Sequence, residues 1–350
     1  MRILLLNWRD IRHPAGGGAE VWAHRVAEGL VERGHEVTFF AATVDGAPRD
    51  EVMNGVRVVR GGSRISVYRQ ARKFFLANRD SFDVILEEIN TRPFFAHTWS
   101  DTPVVPMIHQ VAREVWRYEA PLPVAIAGRY IFEPRWLRKF ATRRVMTLSP
   151  SSADSLREYG LHDLVVVLPG SDRRVVTSGQ KQSHPTVCFL GRLVKSKRPQ
   201  DALRAFAHLK KFVPNAEFLM MGSGPLESKL REQKVPGAKI LGRVSHEERE
   251  RLLASSHVLV TTTVREGWGL NVSEAAELGT PTIGYDSPGL RDSIPLCGGQ
   301  LVGQDPTSLG QALVDFFQGR LTIAPRIGTQ SWGDVCRQIE SELSNAVSRR

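Results

Sequence analysis

The apolar residues of this chain fall into short unbroken runs. Between the runs lie longer stretches where apolar positions recur every third or fourth residue. The runs read as buried strands and the periodic stretches as amphipathic helices. The first run is Ile3–Leu6. A loop through Pro14-Ala15-Gly16-Gly17-Gly18 follows, then a helix from Ala19 to Arg33 that Gly34 ends. Glu36–Ala41, Val56–Val59, Asp83–Glu87, Val104–Ile108 and Val145–Leu148 are further strands. Ser151–Tyr159 is a helix closed by Gly160, and Leu164–Leu168 ends the series.

A second series begins at Thr186–Leu190. The loop Gly191-Arg192-Leu193-Val194-Lys195-Ser196-Lys197 leads into a helix from Pro199 to Phe212. Strands Glu217–Met221 and Lys239–Leu241, a helix Ser245–Ala254, and strands Val258–Val260 and Pro281–Tyr285 continue the alternation. Alternating strands and helices predict an α/β protein with parallel sheets covered on both faces. The polar stretch before residue 186 has linker composition. The expected division is a Rossmann-like domain over 1–170, a linker over 171–185, a second Rossmann-like domain over 186–330 and a helix over 331–350.

Length changes this picture little: 350 residues suffice for two cores. No apolar run is long enough to cross a bilayer, and Asn7, Arg9 and Asp10 cut the first run off before it could serve as a signal peptide. Cys188, Cys297 and Cys336 lack metal-ligand spacing and fit a reducing cytoplasm. The net charge of +10 favours anionic partners. Two segments concentrate it: Arg57–Arg79 carries seven basic residues and no acid, and Arg135–Arg144 carries five and no acid.

Candidate chemistry sits in loops after strands. In Glu266-Gly267-Trp268-Gly269-Leu270-Asn271-Val272-Ser273-Glu274 two carboxylates stand eight positions apart, around glycines that let a backbone approach a ligand. A helix begins near the second, and its amides and dipole favour an anion. An anion flanked by carboxylates that accept hydroxyl hydrogens suits a sugar attached to a diphosphate. Arg192 and Lys197 could converge on phosphate oxygens, one as a fork and one as a point charge, with Lys195 as the alternative cation. Gly17 and Gly18 open the first helix, but Val21 stands where a dinucleotide fingerprint needs its third glycine. His109 and Asn90 follow strands at the end where ligands bind in open α/β sheets. Arg243 and Val244 follow the strand Lys239–Leu241.

The run Glu-Gly-x-Gly-Leu-x-x-x-Glu-Ala, with Gly-Arg-Leu-x-x-x-Lys upstream and Gly-Gly-Ala-Glu near the start, resembles the retaining nucleotide-sugar glycosyltransferases of family 4. The resemblance implies a GT-B fold: two Rossmann-like domains with parallel sheets facing across a cleft, and a terminal helix that returns to the first domain. It implies that Glu274 holds ribose hydroxyls and Glu266 contacts hydroxyls of the donor sugar. Arg192 and Lys197 would neutralise the leaving diphosphate, and His109 would stand near the donor sugar. Gly17, Gly18, Gly267, Trp268, Gly269, Leu270, Arg243 and Val244 would line the donor. The donor would be a UDP- or GDP-sugar, and no cofactor or metal is expected, since no Asp-x-Asp motif lies between strands. Leu168-Pro169-Gly170-Ser171-Asp172 departs from the family's hinge motif at its first two positions.

The acceptor, the linkage and the base are not legible. Basic and aromatic residues in Arg64–Phe75 and Arg135–Ala141 fit ordinary helices with solvated arginine faces. They also fit peripheral contact with an anionic membrane at its cytoplasmic face. A nucleotide-sugar 2-epimerase shares the expected fold, but the Glu266–Glu274 run argues against it. A basic nucleic-acid-binding protein is the rival from another class; no recognition motif supports it, and no nucleic-acid partner is expected.

Overall fold

The computed structural model describes residues 1–172, 176 and 179–349. The expected linker includes residues 173–175, 177 and 178, and the expected terminal helix includes residue 350; these lie outside the described residues. The chain forms two compact units. The first comprises Met1–Ala112, Tyr130–Gly170 and Gln330–Arg350, and the second Arg113–Arg129 and Ser171–Thr329.

The first unit is built on eight strands: β1 (Arg2–Leu6), β2 (Glu36–Ala41), β3 (Asp50–Met53), β4 (Val56–Arg60), β5 (Val84–Ile89), β6 (Val104–Ile108), β7 (Val145–Thr147) and β8 (Leu164–Val166). Their order is β3-β4-β2-β1-β5-β6-β7-β8. All neighbours are parallel except β3, which runs antiparallel to β4. Asn54 and Gly55 join these two strands with φ of 49° and 81°, the conformation of a two-residue hairpin turn. Central strands β1, β5 and β6 are almost wholly buried. The helix Gly18–Glu32 buries Trp22, Ala23, Val26, Ala27 and Leu30 on one face. The helix Trp332–Ser348 belongs to this unit and packs on Gly18–Glu32. It starts from a capping box of Ser331 and Asp334 and buries Val335, Cys336, Ile339 and Leu343.

The short pair β9 (Gly170–Ser171) and β16 (Gln330–Ser331) marks where the chain leaves the first unit and where it returns. The second unit has β10 (Thr186–Leu190), β11 (Glu217–Met221), β12 (Ala238–Gly242), β13 (Val258–Thr261), β14 (Thr282–Tyr285) and β15 (Gln300–Val302). They form a parallel sheet in the order β12-β11-β10-β13-β14-β15. Its core gathers Val187, Phe189, Phe206, Phe218, Met220, Val260 and Tyr285. The helix Pro306–Phe317, unassigned from sequence, packs on the helix Pro199–Leu209. Asp305 caps it by accepting from Thr307 and Ser308 N–H at 2.9 and 2.8 Å.

Predicted and observed elements agree within a few residues at their ends. The larger difference concerns residues 113–129. They were expected within the 1–170 domain but group with the second unit as short helical turns, Val115–Glu119 and Leu122–Ala127. Among the described residues, no helix is long and apolar enough to cross a membrane.

Candidate functional site

In an open parallel sheet, ligands collect where the strand order reverses, because the loops on either side of that point diverge. In the second unit this point lies between β10 and β13. The loop after β10 carries Arg192 and Lys197, and the loop after β13 carries Glu266. The two loops are joined by hydrogen bonds. Val264 N–H donates to Ser196 O at 3.0 Å. The Thr262 hydroxyl lies 2.8 Å from Lys197 O and 2.9 Å from Arg198 O. Arg198 then starts the helix Pro199–Leu209, with its guanidinium 2.6 Å from Asp201 and 5.0 Å from the Tyr285 ring centre.

This backbone framework brings Lys197 and Glu266 together. The ammonium forms an ion pair with Glu266 Oε1, with side chains 23% and 17% exposed. Glu266 N–H donates to Pro288 O at 3.0 Å. Gly289, at φ +84°, lies so close that a Cβ there would overlap the Glu266 carbonyl. Arg192 is exposed and has no side-chain partner among the described residues, and Lys195 is exposed as well. Gly269 takes a left-handed φ of +95° and starts the helix Leu270–Glu277, whose first amides are the anion-binding feature expected there. Glu274, on that helix, stands 3.8 Å from Arg249 Nη1.

Other expected donor contacts are placed unevenly. Trp268 is 2% exposed, and its indole N–H donates to Ser273 Oγ at 2.8 Å. Only its backbone is left to meet a ligand. Gly267 is buried, Leu270 and Val244 are half-buried, and Arg243 is exposed. Val244 packs against the cluster of Cys188, Leu219 and Met221.

The first unit has its own reversal point, between β1 and β5. His109, directly after β6, is buried and paired through Nε2 with Glu88 Oε2. Trp22 meets the imidazole edge-on at 5.2 Å. Burial drives the Glu88 carboxyl up, and His109 opposes that rise. Among the described residues, His109 Nδ1 and Glu88 Oε1 are buried without a hydrogen-bond partner. Gly17 N–H is taken by Glu20 Oε2 at 2.6 Å, and Glu20 Oε1 is 2.8 Å from Arg9. Gly17 and Gly18 therefore begin a helix whose first amide already has an internal carboxylate. Asn90 donates to Asn7 Oδ1 at 3.1 Å.

Several contributors were not singled out from sequence. Glu88 lies in β5 beside Glu87, and both carboxylates are fully buried. Glu87 accepts from the N–H groups of Phe95 and Ala96 at 2.8 and 3.0 Å, and burial pushes its carboxyl up to about 7. Two adjacent acids in a buried strand were the available signal. Glu114 and Glu119 approach the loops of the second unit: Arg265 Nε donates to Glu114 Oε2 at 2.8 Å, and Ser196 N–H donates to Glu119 Oε1 at 3.1 Å. Among the described residues, no group of three or more His, Cys, Asp or Glu is placed to hold a metal ion.

Comparison with known proteins fits this geometry. The family model for glycosyltransferase family 4 matches residues 16–174, and the model for glycosyl transferases group 1 matches residues 173–301. Glycogen synthase of Mycobacterium tuberculosis is 24% identical, over 84% of this chain and 80% of that protein. Among solved structures, sucrose-phosphate synthase from Thermosynechococcus elongatus superposes with a TM-score of 0.76 at 18% identity, covering 99% of this chain and 96% of that one. HepE of Anabaena, solved in complex with UDP and glucose, gives a TM-score of 0.70 at 16% identity, covering 99% of this chain and 100% of that one.

Proposed function

Because the chain belongs to the glycosyltransferases of the family 4 type and has their GT-B fold, we propose that it moves a hexosyl group from a nucleotide-diphosphate sugar to a hydroxyl acceptor, with retention and without a metal ion. The observation that carries this reading is the Lys197–Glu266 pair at the reversal point of the second sheet, with Arg192 on the same loop. The HepE structure with UDP and glucose supports a nucleotide sugar as donor.

In this reading the C1–O bond to the diphosphate breaks as the bond from C1 to the acceptor oxygen forms on the same face. The acceptor proton passes to the departing phosphate oxygen. Arg192 and Lys197 meet the charge that builds on the diphosphate, the kind of electrostatic stabilisation that usually supplies the largest catalytic contribution. Lys197 exchanges its internal carboxylate for phosphate, and Glu266 is then free to accept from a sugar hydroxyl. Glu274 accepts from the ribose, and the amides at the start of Leu270–Glu277 face the diphosphate.

The test is incubation with UDP-, GDP- and ADP-sugars in the presence of EDTA, followed by NMR. Release of nucleoside diphosphate and a product with the donor's anomeric configuration are expected. Rearrangement at C2 with no transfer would favour the epimerase reading, and no reaction with any sugar nucleotide would remove the proposal.

The two basic segments differ in exposure. The helix Val67–Ala77 turns Val67, Ala71 and Phe75 inward and exposes Arg69, Arg72 and Lys73. By contrast, Tyr130, Ile131 and Phe132 are exposed together with Arg135, Arg138 and Lys139. Aromatic and aliphatic side chains beside cations fit an anionic bilayer surface. The protein is accordingly proposed to act in the cytoplasm, with residues 130–139 as a peripheral membrane contact. Sedimentation with anionic vesicles at low salt, lost on Tyr130→Ser/Phe132→Ser substitution, is the expected result. Wild-type protein that stays in the supernatant would remove this part.

A further inference from the structure

Three contacts in the second unit, joined by two peptide bonds and one short helix, close a ring around the two residues assigned to chemistry. Glu119 accepts from the backbone N–H of Ser196 at 3.1 Å. Ser196 is bonded to Lys197, and Lys197 pairs with Glu266. Glu266 is bonded to Arg265, whose Nε donates to Glu114 at 2.8 Å. Glu114 and Glu119 are the N-cap and the last residue of the short helix Val115–Glu119. Five residues of helix span about 7.5 Å, so a single rigid turn sets the separation of the two anchoring carboxylates.

Each anchor acts on a group that is otherwise well restrained. The Arg265 side chain is 4% exposed, and a guanidinium that dry requires charge compensation. Glu114 contributes to it, and the contact holds the Glu114 carboxyl below its usual range despite the opposing effect of burial. At the other end, Ser196 O already accepts from Val264 N–H. With Glu119 on its N–H, both backbone groups of Ser196 are engaged. The segment itself is tightly folded, since a Cβ on Gly128 would run into the Trp116 ring.

We propose that Glu114 and Glu119 are positioning residues: through Arg265 and Ser196 they hold Glu266 and Lys197 at the spacing that transfer requires, without touching the sugar nucleotide. The inference rests on the transferase reading for its kinetic consequence but not for its structural one. Holding reacting groups in place before the substrate arrives is a recognised source of rate, and small displacements are costly.

Two measurements test it. Hydrogen exchange at the Ser196 amide should be faster by at least tenfold in Glu119→Ala, which removes the acceptor, than in the wild type, whether or not the protein turns over any sugar. In steady-state kinetics, Glu119→Ala should lower kcat at least tenfold, keep the dissociation constant of the nucleoside diphosphate within about threefold and leave the melting temperature nearly unchanged. Glu114→Gln should lower kcat as well and also lower the melting temperature, because it leaves the Arg265 guanidinium short of compensating charge. Glu114→Asp, which keeps the charge, should recover part of the loss. Unchanged Ser196 exchange would overturn the structural claim. Unchanged kcat in Glu119→Ala, or a kcat loss in that variant that follows melting temperature, would overturn the positioning role. A wild-type protein with no sugar-nucleotide turnover but with the exchange effect would count against the transferase reading alone. If Glu114→Gln does not fold, Glu119→Ala, which truncates an exposed side chain, carries both measurements.

Discussion

The molecule holds two acid–base pairs near the carboxyl ends of strands, one at the reversal point of the second sheet and one beside that of the first, and they are built in opposite ways. Lys197 and Glu266 come from loops, keep part of their surface open and are fixed mainly through their backbones. Glu88 and His109 lie in or directly after central strands, with side chains 0% and 4% exposed, and are packed against Trp22. An ion pair in contact with water has little net stability, so a ligand can replace either partner at low cost. A buried pair cannot lose a partner without leaving a polar group stranded. The first pair is therefore suited to exchange with substrate, and the second to fixing the carboxyl end of its sheet.

The largest effect expected from this contrast is on stability, in the first unit. Glu88→Ala should cost about 3–5 kcal/mol in denaturant unfolding, the usual range for breaking a buried pair. A loss below about 1 kcal/mol would erase the distinction between the pairs. Lys197→Ala should do the reverse. Its turnover should fall by about 10²–10³-fold, as for removal of one donor to a developing negative charge, while its stability changes by less than about 1 kcal/mol. A third variant tests whether the backbone holds the exposed pair. Gly289→Ala places a side chain at φ +84° and against the Glu266 carbonyl. It should cost about 1–3 kcal/mol and lower turnover as well. Normal kcat in a folded Gly289→Ala protein would show that the turn does not position Glu266.

A further expected effect is a pH slope that arises in the first unit. Burial raises the Glu87 carboxyl from 4.5 to about 7 in the folded chain. The folded state then binds the proton more tightly than the unfolded state, so this group's contribution is full below about pH 4.5 and declines as pH rises through about 7. Glu87→Gln should flatten that part of the melting-temperature profile between pH 5 and 7. A profile with the same slope in both proteins would exclude Glu87 as its source.

The same contrast explains what the sequence made legible. The loops of the second unit carry Arg192, Lys197 and Glu266, with Glu274 on the helix that follows, at short, fixed spacings next to clear strands, and the structure pairs Lys197 with Glu266 across 69 positions. Parallel pairing also followed from the alternation of apolar runs and periodic stretches, whereas the strand order and the antiparallel edge strand β3 did not. The His109 environment was only half readable. Its place after a strand was evident, but the partner in β5 is set by register, Glu88 lying opposite Met107. Nothing local announces that Glu114 reaches Arg265, 151 positions away. Trp268 was expected at the donor through the resemblance of its run, and its side chain turns into the core to find Ser273. The Asn54-Gly55 turn and the Asp305 cap did carry local signals. The first was masked by the weak, mostly polar strand Asp50–Met53.

The most direct test of the account is a thermal-shift titration with nucleoside diphosphates and their sugars, on the wild type and on Arg192→Ala/Lys197→Ala. A ligand that binds only the folded state stabilises it by about 2.7 kcal/mol at a hundredfold excess over its dissociation constant. A rise of several degrees is expected for the wild type and none at the same concentrations for the double variant. Equal stabilisation of both proteins, or no response of the wild type to any sugar nucleotide, would contradict the assignment of this loop as the diphosphate site.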